Sequence, residues 1–111
     1  LVTTLGVDGF DIQVLWEQSN SISPPHHINF LSVEGFKTIF QRAYMKDINV
    51  ITPGLLDVDI IRNAFRENKL VKKNNRFIGK IIDNEDMAHL FQEFLIESKL
   101  SSHVWVLSQR P

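Results

Sequence analysis

The chain has 111 residues, 43% of them hydrophobic and 23% charged, with a formal net charge of −1. One core fits that length, and these fractions exclude intrinsic disorder and collagen-like repeats. Cysteine is absent, which excludes disulfide scaffolds, thiol nucleophiles and cysteine zinc sites.

No run approaches the roughly 18 apolar residues of a membrane-spanning helix, so no membrane partner is expected. The expectation is a single domain over 1–111. Its start at Leu1 rather than Met predicts a piece excised from a larger polypeptide.

Gly6 and Gly9, flanking Asp8, form a turn signal ahead of the first regular element. In residues 11–16, Ile12, Val14 and Trp16 alternate, which predicts a strand. Glu17 to His27 carries Pro24, Pro25 and several turn formers, so it is expected to be the longest and most mobile loop. A second short strand is expected over Ile28 to Val33.

Three helices follow from spacing. Phe36, Ile39, Phe40, Ala43 and Tyr44 recur at helical intervals, with Ser32 placed to cap. Val58, Ile61, Ala64 and Phe65 form a second stripe, after Pro53-Gly54 and with Asp57 and Asp59 at its start. Met87, Leu90, Phe91, Phe94 and Leu95 form the third, behind the cap candidates Asp83 and Asn84, and predict one buried face near Trp105.

Between and after these helices lie strand-like segments. Ile48 to Ile51 is short and β-branched. Leu70 to Lys73 and Arg76 to Ile82 flank Asn74-Asn75, a hairpin turn signal. His103 to Leu107 is apolar at nearly every position and predicts a buried strand.

The order β-β-α-β-α-β-β-α-β predicts an α/β (mixed α+β) fold, a small mixed sheet with about three helices. Residues 34–82 offer an alternative, a core like that of a winged helix.

Charge is distributed unevenly. Arg62, Arg66, Lys69, Lys72, Lys73, Arg76 and Lys80 are seven of the 12 Lys and Arg, and Glu67 is the only acid among them. Arg62, Arg66 and Lys69 share one helix face by spacing. With Lys72, Lys73 and Arg76 they form the expected polyanion contact, the electrostatic footprint of a phosphate-backbone binder. Phe77, beside Arg76, is the aromatic placed to stack on a base. A charged surface that merely keeps the chain monomeric is the competing explanation.

Catalytic signals stay incomplete. His26-His27-Ile28 resembles the start of an HNH nuclease motif, but the next histidine is His89. Asp57, Asp59, Glu67 and Lys69 resemble the carboxylate and Glu-x-Lys set of metal-dependent nucleases, yet a helix start explains both aspartates. Glu85, Asp86 and His89 supply too few ligands for a zinc site. No glycine-rich nucleotide loop and no Gly-x-Ser-x-Gly elbow occurs, so no cofactor and no catalytic residue is expected.

The reading favoured is a non-catalytic binding module with a basic surface at 62–80 for a nucleic acid or an acidic protein surface. The alternatives are a small hydrolase or nuclease using His26 and His27, and a protein–protein assembly domain.

Overall fold

The computed structural model describes residues 1–19 and 31–110. In chain order these form β1 (Val2–Leu5), α1 (Phe10–Leu15), α2 (Val33–Arg42), β2 (Lys46–Ile51), α3 (Asp57–Arg66), α4 (Arg76–Ile82), α5 (Glu85–Glu97) and β3 (His103–Gln109). Short 3-10 turns lie at Trp16–Gln18 and Lys72–Asn74. The class is mixed α/β, as expected, but five helices stand where three were predicted. The sheet is antiparallel throughout rather than mixed, in the order β1-β3-β2, so the last strand is central.

Two apolar clusters divide the molecule. Phe36 of α2 packs on Val50, Val104 and Val106, which form the covered face of the sheet. Leu15, Val58, Ile61, Ala64, Ile82, Ala88 and Leu95 form the second cluster, between α1, α3, α4 and α5. β3 obeys the period of a one-faced strand: Val104 and Val106 point inward while Trp105 and Leu107 stay partly in solvent. The expected fully buried strand is therefore buried on one face only.

Capping signals were legible. Ser32 Oγ accepts the Gly35 N–H at 3.0 Å, and Asn84 Oδ1 accepts the Met87 N–H at 3.0 Å. Three helix ends close in the same way, with the Schellman pair of bonds. They are Met45 N–H to Phe40 C=O with Tyr44 to Gln41, Lys69 to Ala64 with Asn68 to Phe65, and Leu100 to Leu95 with Lys99 to Ile96. Each closure puts a non-glycine residue at positive φ: Tyr44, Asn68 and Lys99.

Four segments differ from expectation. Residues 11–16 are largely helical: Ile12 and Leu15, three apart, are buried, and a run this short satisfies both periods. The Phe10 N–H bonds to Leu100 C=O, and a Cβ on Gly9 would collide with Ser102 Cα, so α1 starts hard against that segment. Val2–Leu5 is a strand ahead of the Gly6–Gly9 turn, short and largely exposed, with no apolar alternation to announce it.

The predicted hairpin over 70–82 is the 3-10 turn followed by α4, whose Ile78, Ile81 and Ile82 recur at helical spacing. Neither Asn74 nor Asn75 adopts the positive φ that a hairpin turn of that kind needs. Without that hairpin the winged-helix alternative for 34–82 has no wing. Finally, Val33 opens α2 and Leu31 makes a single parallel bridge to Gly6, in place of a strand ending at Val33. The rest of that strand, and most of the predicted loop with His26 and His27, lie outside the described residues.

Candidate functional site

The six cations of the predicted polyanion contact separate into two groups. Arg62 Nη1 pairs with Asp59 at 2.9 Å, and its Nη2 donates to the Ile82 carbonyl at 3.1 Å, with Glu85 at 3.6 Å. Lys72 Nζ lies 3.1 Å from both Asp83 carboxylate oxygens. Both cations therefore meet at the C-terminal end of α4, where the helix dipole and Asp83 favour positive charge. Lys69 pairs with Glu67 at 3.4 Å, and Arg66 Nη1 donates to Asn63 Oδ1 at 3.4 Å.

Lys73, Arg76 and Lys80 form no ion pair with any described residue. An open groove of about 450 Å³ runs over α4, lined by Lys72, Arg76, Gly79, Lys80, Asp83 and Asn84. A Cβ on Gly79 would find only Lys72 Cγ, at 3.8 Å, so bare backbone forms part of that groove wall. Phe77 is 75% exposed, three residues before Lys80 on the helix. Lys80, outside the predicted contact set, belongs to this face, whereas Arg62 is held within the fold.

A buried polar network is the second constellation. Asp57, at the start of α3, accepts from Ser101 Oγ at 2.7 Å, the Ser102 N–H at 2.8 Å and Gln92 Nε2 at 3.4 Å. Gln92 uses both ends of its amide: Oε1 accepts the Val58 N–H at 3.0 Å and Nε2 donates to Gly54 C=O at 2.9 Å. The network joins the helical cluster to the start of β3.

Asp11 enters this network from α1, fully buried, and neither carboxylate oxygen has a hydrogen-bond partner of good geometry. Its pKa is raised to about 6, mainly by burial, against a lowering by the Ser102 hydroxyl, with the Asp57 carboxylate adding a smaller rise. A groove of about 540 Å³ lined by Leu55, Leu56, His103 and Trp105 reaches Asp57 and Ser102.

The other candidates do not converge. Asp57 points into the core, Asp59 to Arg62 and Glu67 to Lys69, so the nuclease-like set is dispersed. His89 pairs with Glu93 at 3.1 Å rather than with Glu85 or Asp86. Among the described residues no three His, Asp or Glu side chains are grouped to hold a metal ion. No helix among them is long and apolar enough to cross a membrane. Asp11 and its network escaped the sequence because its partners are far apart in the chain and none belongs to a motif.

No protein-family model, curated protein or solved structure matches this chain.

Proposed function

We propose that this chain is a non-catalytic binding module that grips the phosphate backbone of a nucleic acid through the α4 face. The observation that carries the reading is the groove over Gly79, walled by Lys72, Arg76 and Lys80, in a region where Lys73, Arg76 and Lys80 lack acidic partners among the described residues. Unpaired cations retain a condensable charge for phosphate, whereas Arg62 would first have to give up Asp59 and the Ile82 carbonyl. Phe77 adds an exposed ring beside that charge.

A salt titration of oligonucleotide binding, read by fluorescence anisotropy, tests this. Each phosphate neutralised contributes a slope of about −0.9 in log affinity against log salt on duplex DNA, and about −0.7 on single strands. Replacing Arg76 and Lys80 with alanine is expected to flatten the slope by roughly one to two units, on unrelated sequences alike. Lys37→Ala with Lys46→Ala is the control and is expected to leave it nearly unchanged.

Gly79→Ala separates contact from folding. It is expected to stabilise α4 by about 0.5–1 kcal/mol while weakening binding, because the new methyl enters the groove without a clash. Absent binding at low salt, or binding indifferent to Arg76 and Lys80, overturns the proposal. Selective binding to an acidic protein in place of nucleic acid would turn the same face to a different partner.

A further inference from the structure

We propose that the buried, unpartnered carboxyl of Asp11 is a pH-responsive latch fastening α1 to the start of α3 and to the Ser101–Ser102 segment. The geometry supplies the parts. Asp57 is held by Ser101 Oγ, the Ser102 N–H and Gln92 Nε2, all donors, so its oxygens are arranged for the ionised form. Asp11 is 0% exposed, has no donor of good geometry, and faces that carboxylate. A fully buried carboxylate without a partner cannot stay ionised without a large penalty, and a proton on Asp11 removes it.

Among the described residues no cation pairs with Asp11 or Asp57. On the chain around α1, Asp8 accepts the Val33 N–H and Glu17 is exposed. On α3, Asp57 faces Asp11, while Asp59 is exposed and turned to Arg62. Ahead of β3 the Ser102 hydroxyl faces it and His103 is exposed, and α5 presents the uncharged Gln92. Among the described residues, the groups acting on the Asp11 carboxyl are thus Ser102, Asp57 and its own backbone.

The consequence has a definite sign. Asp11 holds its proton to about pH 6 in the folded chain, against a reference value of 3.8, so the folded state binds the extra proton. Stability from this carboxyl is fully present below about pH 4, falls as pH rises toward 6, and levels off above it. The element that loosens is α1, a helix of six residues whose other anchor on the same segment is the bond from Phe10 N–H to Leu100 C=O.

Hydrogen exchange of the α1 amides at several pH values, corrected for intrinsic base catalysis, tests the latch. Protection in the wild-type chain is expected to fall by up to about a hundredfold between pH 4 and pH 7, about tenfold for each unit of displaced pKa. Asp11→Asn keeps a donor toward Asp57 that cannot ionise, and its protection is expected to be independent of pH over that range. The difference between the two chains cancels every group common to both.

Equal protection at pH 4 and pH 7 in the wild-type chain, or the same loss in Asp11→Asn, overturns the proposal. If Asp11→Asn fails to fold, the carboxyl carbon of Asp11 in the wild-type chain decides by NMR. A midpoint near 6 supports the latch, and one near 4 refutes it.

Discussion

In α3, Val58, Ile61 and Ala64 all turn into the helical cluster, whereas in α5 Met87, Leu90 and Phe94 remain in solvent and Ala88, Gln92 and Leu95 are buried. Both helices have apolar side chains at helical intervals. In α3 the polar residues Asp59, Arg62, Asn63 and Arg66 leave only one apolar side, so there is one way to bury it. In α5 the apolar residues cover a broad arc, and more than one face within it satisfies the spacing.

Gln92 breaks that tie. Its amide serves Val58, Gly54 and Asp57 at once, and turning it outward would leave a buried N–H and carbonyl without partners. The lesson is that a single buried amide can outweigh a larger apolar stripe when its partners cannot be satisfied otherwise. The predicted packing of the Met87–Leu95 stripe near Trp105 gives way to this arrangement. Phe91 alone among its aromatics turns partly inward, edge-on to Phe10 at 4.9 Å between centroids.

The largest effect expected from this contrast is in the helical cluster. Leu95→Ala and Ile61→Ala, at 2% and 0% exposure, are expected to cost about 2–5 kcal/mol each in denaturant unfolding. Leu90→Ala, at 63% exposure, is expected to stay within about 0.5 kcal/mol. A Leu90 cost equal to that of Leu95 would rotate α5 back to the face its stripe suggests.

Next in size is the amide itself. Gln92→Leu keeps the apolar volume but removes the acceptor for Val58 and the donor for Gly54. An unfolding cost of about 1–3 kcal/mol is expected for the groups left unpaired. A neutral result would mean that apolar packing alone orients α5.

The smallest effect comes from the helix ends. Tyr44 sits at φ 60 and is exposed, so Tyr44→Gly is expected to stabilise the chain by about 1 kcal/mol by relieving a left-handed backbone. Thermal unfolding of that variant reads the sign directly.

Where a signal is local, the sequence carried it. The caps Ser32 and Asn84, the α3 stripe, and the strands β2 and β3 depend on neighbours a few residues away. The charge cluster at 62–80 was equally plain, because counting needs no fold. Its division was not. Arg62 and Lys72 are taken up by Ile82 and Asp83 only because α4 is a helix that ends beside them, and that helix was hidden behind a hairpin signal at Asn74-Asn75.

Composition, the mixed α/β class and a cationic segment were determined by the sequence alone, since each is a sum or a short-range pattern. The tertiary structure alone decided which face of α5 is inside, that residues 11–16 turn into a helix, and that Asp11 meets Asp57. The physical reason is common to all three. Short or broad apolar patterns are degenerate, and what selects among their solutions is the set of buried polar groups brought together from distant parts of the chain.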